Sequence, residues 1–193
     1  MRLQYQNIHK DIVERCQKGN RQAQQQLYQL YAMAMYNITL RIMGKPEDAE
    51  DVLQDAFIDV FTKINSFRGE ASIGAWIKRI VINKSLNAVK KKKLMVTDIE
   101  TVEKDNFVSD YDNGFDEPQA PSFTVSDIQR AIETLPDGYR VVMSLFMFEG
   151  YSHQEIAEEL NITESTSKSQ YSRAKRKVRD ILLKQQSRMG NGY

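Results

Sequence analysis

A polar run between residues 152 and 179 constrains the fold more than any other feature, because it specifies two helices and the turn between them. Ser152, followed three residues later by Glu155, is a capping box and predicts a helix beginning at the next residue. Asn161 predicts the end of that helix, since Asn tolerates the left-handed conformation that a sharp turn needs. Thr163 is suited to cap a second helix. The pattern predicts a helix-turn-helix.

Positive charge is concentrated on the second of these helices. Its only acid before Asp180 is Glu164, and its bases are Lys168, Arg173, Lys175, Arg176, Lys177 and Arg179. A cationic helix with short polar residues near its start fits the major groove of duplex DNA. The alternative is a solvated basic helix at the end of a helical hairpin. Because the capped helix, the turn and the basic helix occur in register, we favour the DNA-reading interpretation.

Charge is segregated along the chain, although the net charge is only +1. Residues 1–93 carry 16 Lys and Arg against 9 Asp and Glu, residues 94–124 carry 1 against 8, and residues 125–193 carry 10 against 9. Binding to nucleic acid depends on the local patch more than on the sum. The neutral total therefore does not argue against a nucleic-acid partner.

Apolar residues recur at helical spacing along most of the chain, and strand-like alternation is scarce. Leu30 and Trp76 fall on the inward faces of two such helices, and Pro136-Asp137-Gly138 is predicted to form a turn. We predict an all-α fold of two small helical domains joined by a flexible acidic linker. The domains are residues 1–93 and 125–193, the second containing the helix-turn-helix, and the linker is residues 94–124.

Several classes of function are disfavoured by composition. No stretch approaches the roughly 20 apolar residues that span a bilayer, and the N-terminus lacks the apolar core of a signal peptide, so we expect a cytoplasmic protein without membrane insertion. Cys16 has no cysteine partner, and with only His9 and His153 it forms no zinc-ligand cluster. We predict no catalytic, metal or cofactor site.

Three motifs occur in order along the chain. They are Asp48-Ala-Glu-Asp-Val-Leu-Gln-Asp-Ala-Phe57, Phe67-Arg-Gly-Glu-Ala-Ser-Ile-Gly-Ala-Trp-Ile-Lys-Arg-Ile80 with Asn83, and Leu135-Pro-Asp-Gly-Tyr-Arg140 before the helix-turn-helix. With these motifs the chain resembles a bacterial sigma factor of the extracytoplasmic-function (ECF) type in the sigma-70 family, which retains conserved regions two and four. The resemblance implies a promoter-specificity subunit that binds core RNA polymerase, recognises the −35 and −10 promoter elements and melts the −10 element.

The resemblance implies two surfaces on the N-terminal domain. The residues that match the helix docking on the clamp of the largest polymerase subunit are Asp48, Asp51, Leu53, Gln54 and Asp55. The positions that match the −10 reader, a base-capturing loop and the following helix, are Phe67, Arg68, Gly69, Glu70, Ser72, Arg79, Asn83 and Lys84. Lys90 to Lys93 are expected to contact phosphates, whereas the spacing of Trp76 favours a core position.

In the C-terminal domain the positions that match the −35 reader are Lys168, Ser169, Gln170, Ser172, Arg173, Arg176 and Lys177. Arg173 is our candidate for base readout, since Arg pairs bidentately with guanine, and Arg176 and Lys177 are expected to hold the backbone. The sequence departs from the family pattern at Ser167, Gln170 and Lys175. The resemblance also implies contact with the flap of the second-largest polymerase subunit.

Other interpretations remain open at this point. The acidic linker is either a solvating spacer or a segment that occupies a basic channel of polymerase. The family implies an inhibitory anti-sigma partner. The main alternative function is a free-standing helix-turn-helix regulator that binds duplex DNA without polymerase. An enzyme is a further alternative, resting only on a carboxylate cluster that includes Asp48 and Asp51.

Overall fold

The structure, a computed structural model, describes residues 9–96 and 123–190, with side chains described in 9–92 and 123–186. The described residues form eight α-helices and one 3-10 turn, with no strand among them. The helices are α1 (Lys10–Gln17), α2 (Arg21–Met43), α3 (Pro46–Lys63), α4 (Ile73–Val96), α5 (Val125–Glu133), α6 (Asp137–Met147), α7 (His153–Leu160) and α8 (Glu164–Gly190). The predicted all-α fold is confirmed.

The N-terminal unit consists of α1 to α4 packed around one apolar core. Asn20 caps α2, because its side chain accepts a hydrogen bond from the Ala23 amide at 3.0 Å. Gly44 ends α2 in the left-handed conformation (φ 75°), and Pro46 then opens α3 at its first turn. The side chains buried most completely include Leu27, Ile42, Ile64, Ile77, Ile82 and Leu86.

The C-terminal unit consists of α5 to α8. A capping box between Thr124 and Asp127 begins α5, and Pro136 precedes α6. Part of its apolar surface forms a separate buried cluster of Ala131, Ile132, Leu135, Met143, Ala174, Val178 and Leu182. The rest of that surface packs on the N-terminal unit, chiefly where α6 crosses α2.

The predicted helix-turn-helix is present. Ser152 and Glu155 form both hydrogen bonds of the capping box that begins α7. Asn161 ends the helix in the left-handed conformation, at φ 54° and ψ 49°. The Thr163 hydroxyl accepts a hydrogen bond from the Thr166 amide at 3.0 Å and so caps α8. Each of these features depends on residues three or four positions apart.

Three local predictions are corrected. Leu30 is 49% exposed rather than inward, because α2 packs on its neighbours through the face that carries Leu27 and Ile38. Asp137 and Gly138 are not a turn but the first residues of α6, where Asp137 suits the positive end of the helix. The helix α4 continues to Val96, past residue 93, at which the N-terminal domain was predicted to end.

Residues 97–122, which make up most of the predicted acidic linker, lie outside the described residues. The two interpretations of the linker, spacer or channel-filling segment, stay predictions. Within the described ranges, no helix is both long and apolar enough to cross a membrane.

Candidate nucleic-acid interface

One face of α8 presents polar and cationic side chains to solvent. Lys168, Ser169, Ser172, Arg173 and Arg176 recur at the spacing of a single helical face, and each is exposed or half-buried. The opposite face is held in the C-terminal core by Ala174, Val178 and Leu182. The structure therefore brings together five of the seven predicted −35 residues on one accessible stripe, which we call the α8 stripe.

The other two predicted −35 residues lie beside the start of α6. The side-chain amide of Gln170 approaches Gly138, where a Cβ would lie 3.8 Å away. The Lys177 ammonium lies over the Tyr139 ring, 5.9 Å from its centroid. These two side chains flank the α8 stripe, so a contact from them would reach the DNA backbone at its edge more readily than a base.

An aromatic cluster fixes α8 against α7. His153 stacks on Phe146 with ring centroids 4.4 Å apart, and its Nδ1 lies 2.9 Å from the hydroxyl of the fully buried Ser167. Tyr171 packs against both rings. Burial, and then the positive charge of Lys168, lower the pKa of His153. Ser167, where the sequence departs from the family pattern, is therefore a helix-packing residue.

The segment between α3 and α4 forms a pocket of about 290 Å³. Its lining is Ser66, Phe67, Arg68, Glu70, Ala71, Ala75, Trp76 and Arg79. Gln17 steadies its base by donating hydrogen bonds to the Ile64 carbonyl at 3.2 Å and the Phe67 carbonyl at 3.5 Å. Ser72 caps α4 through the Ala75 amide at 3.2 Å. We call this the loop pocket.

Two aromatic rings form the inner wall of the loop pocket. Phe67 and Trp76 have centroids 5.5 Å apart, and both are half-buried against the N-terminal core. Trp76 packs against the core, as expected, but the same ring also lines the pocket. Aromatic faces that are open on one side are suited to stack on a planar base.

The predicted residues on α4 are differently engaged. Arg79 is exposed at the pocket rim, and Asn83 lies one turn further along the same face with its Oδ1 buried and without a hydrogen-bond partner. Lys84 points away from that face, since its ammonium pairs with Asp59 at 3.3 Å. Burial tends to raise the pKa of Asp59, but hydrogen bonds and charge from Lys63 and Lys84 lower it. Lys84 is therefore not free to contact a phosphate in this structure.

The predicted polymerase-docking residues on α3 divide into two groups. Asp51, Gln54 and Asp55 are exposed on one face, and Asp48 is half-buried with its carboxylate 2.8 Å from the Lys92 ammonium. Leu53 is only 6% exposed and lies in the core, which corrects its assignment as a surface contact. It belongs to the buried face of α3 together with Val52, Ala56 and Val60.

The same exposed face of α3 carries an apolar side chain that the sequence analysis did not identify. Ile58 is 62% exposed, one turn beyond Gln54 and Asp55. It follows Gln54 by four residues, and this i, i+4 spacing could have predicted that the two side chains share a face. We call Asp51, Gln54, Asp55 and Ile58 the α3 stripe, which combines acidic groups with one apolar anchor.

The C-terminal unit also has an open apolar groove of about 330 Å³ between α5, α6 and α8. It is lined by Phe123, Ile128, Met143, Met147, Tyr171, Lys175, Val178, Arg179 and Leu182. Met147 is 49% exposed, and two cations stand at the rim. Sequence periodicity did not reveal this groove because its residues come from three helices and from Phe123, which precedes α5. Among the described residues, no group of three or more His, Cys, Asp or Glu side chains is placed to hold a metal ion.

Two known protein families match this chain, one in each of its two units. The sigma-70 region 2 family matches residues 27–94, and the sigma-70 region 4 family matches residues 126–178. The ECF RNA polymerase sigma factor SigW of Bacillus subtilis is 30% identical over 179 residues, covering 90% of this chain and 96% of SigW. The ECF RNA polymerase sigma-E factor of Escherichia coli K12 is 29% identical over 175 residues, covering 86% of this chain and 90% of that protein.

A solved structure has the same fold. The sigma factor RpoE from Bartonella quintana, solved in complex with the anti-sigma factor NepR, superposes with a TM-score of 0.51 at 24% identity. The match covers 82% of this chain and 96% of RpoE.

Proposed function

The chain belongs to the extracytoplasmic-function sigma factors of the sigma-70 family, and on that premise we propose that it directs core RNA polymerase to specific promoters and initiates transcription there. The observation that carries the proposal is the presence, in one chain, of a helix-turn-helix with an exposed cationic stripe and a loop pocket walled by aromatic rings. A free-standing regulator needs only the first of these. The named relatives are likewise sigma factors rather than free-standing regulators.

We propose that the α8 stripe reads the −35 element. An α-helix fits into the major groove of DNA. In that groove each of the four base pairs presents a different pattern of hydrogen-bonding groups. Arg173 can pair bidentately with a guanine, and Lys168 and Arg176 lie on the same stripe. Ser169 and Ser172 are short enough to let the helix approach the bases closely. Gln170 and Lys177 contact the backbone from the flank.

We propose that the loop pocket accepts a base flipped from the −10 element. Base extrusion requires a pocket and a stacking partner, and Phe67 and Trp76 supply aromatic faces at its inner wall. Gly69, with φ 76°, lets the loop backbone turn sharply at the mouth. Arg68 and Arg79 offer positive charge to the strand, Glu70 accepts hydrogen bonds from a base edge, and Asn83 has an unused acceptor one turn along α4.

Two surfaces are proposed to bind core polymerase. The α3 stripe has the acidic groups to meet a basic clamp helix, with Ile58 as an apolar anchor among them. The apolar groove of the C-terminal unit suits an apolar helix from the flap of the second-largest subunit. Division of the chain into a −10 and clamp-binding domain, a tether and a −35 domain is part of this proposal.

Further features are carried over from the family. We propose that an anti-sigma factor inhibits this protein, since a sigma factor of the same fold was solved with one. Sigma factors are non-enzymatic transcription initiation factors, and we assign no catalytic role to this chain. Its polymerase and promoter partners imply that it works in the bacterial cytoplasm.

Transcription in vitro with core polymerase tests the proposal. The full chain should bind core polymerase and start transcription at a subset of promoters from a randomised library. The Phe67→Ala variant should leave closed-complex formation nearly unchanged but reduce strand opening, measured by permanganate reactivity of unpaired thymines, by at least tenfold. Phe61→Ala, which removes another half-buried ring from the same core, is the matched control.

Failure of the full chain to bind core polymerase at low salt would reject the sigma-factor function. If Phe67→Ala and Phe61→Ala reduce opening equally, the loss arises from weakened packing, and the role of the loop pocket is rejected instead.

A further inference from the structure

The loop that forms the loop pocket is fixed at its two ends. Residues 67–72 connect the 3-10 turn (Ile64–Ser66) to α4. Within the described ranges, the backbone–backbone hydrogen bonds of this loop are made at its first and last residues. The Phe67 amide donates to the Ile64 carbonyl at 3.2 Å, and the Ser72 carbonyl accepts the first hydrogen bond of α4 at 3.1 Å. The residues between these ends therefore depend on whatever holds the ends in place.

Gln17 of α1 holds the first end. Its side-chain amide donates a hydrogen bond to the Ile64 carbonyl at 3.2 Å and a longer one to the Phe67 carbonyl at 3.5 Å. The Ile64 carbonyl thus accepts from both Gln17 and the Phe67 amide, which its two lone pairs allow. The backbone at Phe67, the residue whose ring walls the pocket, is therefore tied to α1.

Gln17 is itself held by a tight corner between α1 and α2. Helix α1 ends at Gln17, and Gly19 turns the chain with a left-handed backbone (φ 78°). The Gly19 amide donates to the Cys16 carbonyl at 2.9 Å. The Asn20 amide donates to the Arg15 carbonyl at 3.0 Å, and together these bonds form a Schellman motif. The corner fixes the backbone from which the Gln17 side chain reaches the loop.

The inner face of α1 is anchored in the N-terminal core. Val13 is 5% exposed and Cys16 is 2% exposed, and α1 contacts both α2 and the 3-10 turn. Because interiors are closely packed, α1 cannot shift without disturbing its buried neighbours. The position of the core is therefore transmitted through Gln17 to the wall of the loop pocket.

From these contacts we propose that Gln17 is a positioning residue for the −10 element, and that α1 sets the wall of the loop pocket before DNA binds. The proposal rests on the function proposed above, in which that pocket accepts a flipped base. Helix α1 lies before residue 27, where the match with sigma-70 region 2 begins, so that match does not include it. Gln17 acts through Phe67, because both of its amide hydrogen bonds are made to the loop backbone.

A wall that is already in place favours capture of the base. Extrusion of a base from the stack costs free energy, and contacts in the pocket offset that cost. A loop that had to become ordered during binding would lose part of this gain to conformational entropy. With Gln17 present, the backbone that carries the Phe67 ring is ordered beforehand. Without it the ring remains, but its backbone is held less firmly.

Gln17→Met tests this role, because methionine has a similar length and no hydrogen-bond donor. Gln17→Glu is the second variant, since an ionised carboxylate keeps the shape of the amide but also lacks a donor. The control is Gln26→Met. The Gln26 side chain accepts a hydrogen bond from Arg15 at 2.9 Å, so it also bonds to α1, but this bond joins α1 to α2 and not to the loop.

Binding of each holoenzyme to single-stranded DNA measures the effect. The probes are single strands that span the −10 element of one promoter selected from the randomised library. Each probe is used intact or with one base removed, at every −10 position in turn. The wild type and the control should bind the intact strand at least fivefold more tightly than the strand that lacks the captured base, as expected for a stacked base.

The Gln17 variants should lose most of this preference. Gln17→Met should bind the intact strand about fivefold more weakly than the wild type, the size expected for one net hydrogen bond, and should bind the strand without the base equally well. Gln17→Glu should show at least the same loss. Far-UV circular dichroism should show wild-type helix content in all variants.

Three outcomes separate the possible explanations. Equal weakening on the intact strand and on the strand without the base would overturn the proposal, because it would indicate a general loss of packing. Wild-type preference for the intact strand in either folded Gln17 variant would also overturn it. If the wild type itself binds both strands alike at every −10 position, the proposed capture of a base by the loop pocket is rejected, and with it the basis for a role of Gln17.

Discussion

Arg173 and Arg176 lie about one turn apart on the α8 stripe, but their surroundings differ. Arg173 is half-buried, whereas Arg176 is exposed. Packing on one side suits Arg173 to the directional hydrogen bonds of base readout, whereas an exposed cation such as Arg176 suits contact with phosphate. Alanine substitutions of the two residues should therefore have different effects on DNA binding.

Arg173→Ala should remove discrimination at one −35 base pair, about 1–3 kcal/mol, whereas Arg176→Ala should weaken binding to all sequences alike and lower the salt slope by about 1. The measurement is binding of holoenzyme to a promoter and its single-base variants at several salt concentrations. Lys184→Ala, exposed further along α8, is the control and should change neither quantity. A uniform loss for Arg173→Ala would assign it to the backbone.

Leu53 and Gln54 are adjacent in sequence but belong to different environments. Leu53→Ala should lower the free energy of unfolding by about 2–5 kcal/mol, because it empties a buried position. Gln54→Ala should stay within about 0.5 kcal/mol of wild type but weaken binding to core polymerase. Urea denaturation and a polymerase-binding titration separate the two effects. A stable Leu53→Ala protein that binds polymerase poorly would restore the surface role predicted from the motif.

At the scale of helices, the order and most boundaries were predictable from the sequence because caps and turns are local. Ser152 with Glu155, Asn161, Gly44 and Pro46 all act on residues within one turn of themselves. Which face of a helix is buried depends on distant parts of the chain and is harder to predict. Leu30 was predicted to face inward, yet the helices around α2 do not cover that side.

The packing of α7 on α8 should depend on pH through His153. Burial lowers its pKa, so the folded protein favours the neutral ring, whereas the unfolded chain takes up a proton near the ordinary pKa of about 6.5. The stabilising contribution is thus complete above that pH and is lost as the pH falls from about 6.5 toward the lowered folded-state value. Urea denaturation between pH 5 and 7.5 measures it.

The His153→Gln variant should lose this part of the pH dependence, and His9→Gln, which alters the chain's other histidine, should retain it. An unchanged pH profile in His153→Gln would show that another group is responsible.

At the scale of the whole molecule, the contacts between units could not be predicted from spacing. Arg140 bonds to a carbonyl 97 positions earlier, and Arg41 pairs with Glu149 at a separation of 108. Sequence motifs identify Arg140 as part of a family pattern without indicating its partner. The loop pocket was predictable in place, from Phe67 to Ser72, but the second role of Trp76 depends on how α4 is rotated.

A shared core implies that the units unfold together. Trp76 is the only tryptophan, so its fluorescence reports the N-terminal unit, while circular dichroism reports all helices. Leu145→Ala, in the C-terminal unit, should shift both transitions equally, by about 2–5 kcal/mol, because Leu145 is fully buried in the common cluster. Two separate transitions, with the fluorescence transition unmoved, would contradict this coupling.

The double role of Phe67 and Trp76 limits which substitutions could change the promoter preference of this protein. Each ring supports the N-terminal core on one side and walls the loop pocket on the other. A substitution that reshapes the pocket for a different base therefore also removes packing from the fold. The residues of the α8 stripe, which we propose to read the −35 element, have no second role in packing because they lie on the face opposite the core. New promoter preferences should thus arise more readily at the −35 element than at the −10 element.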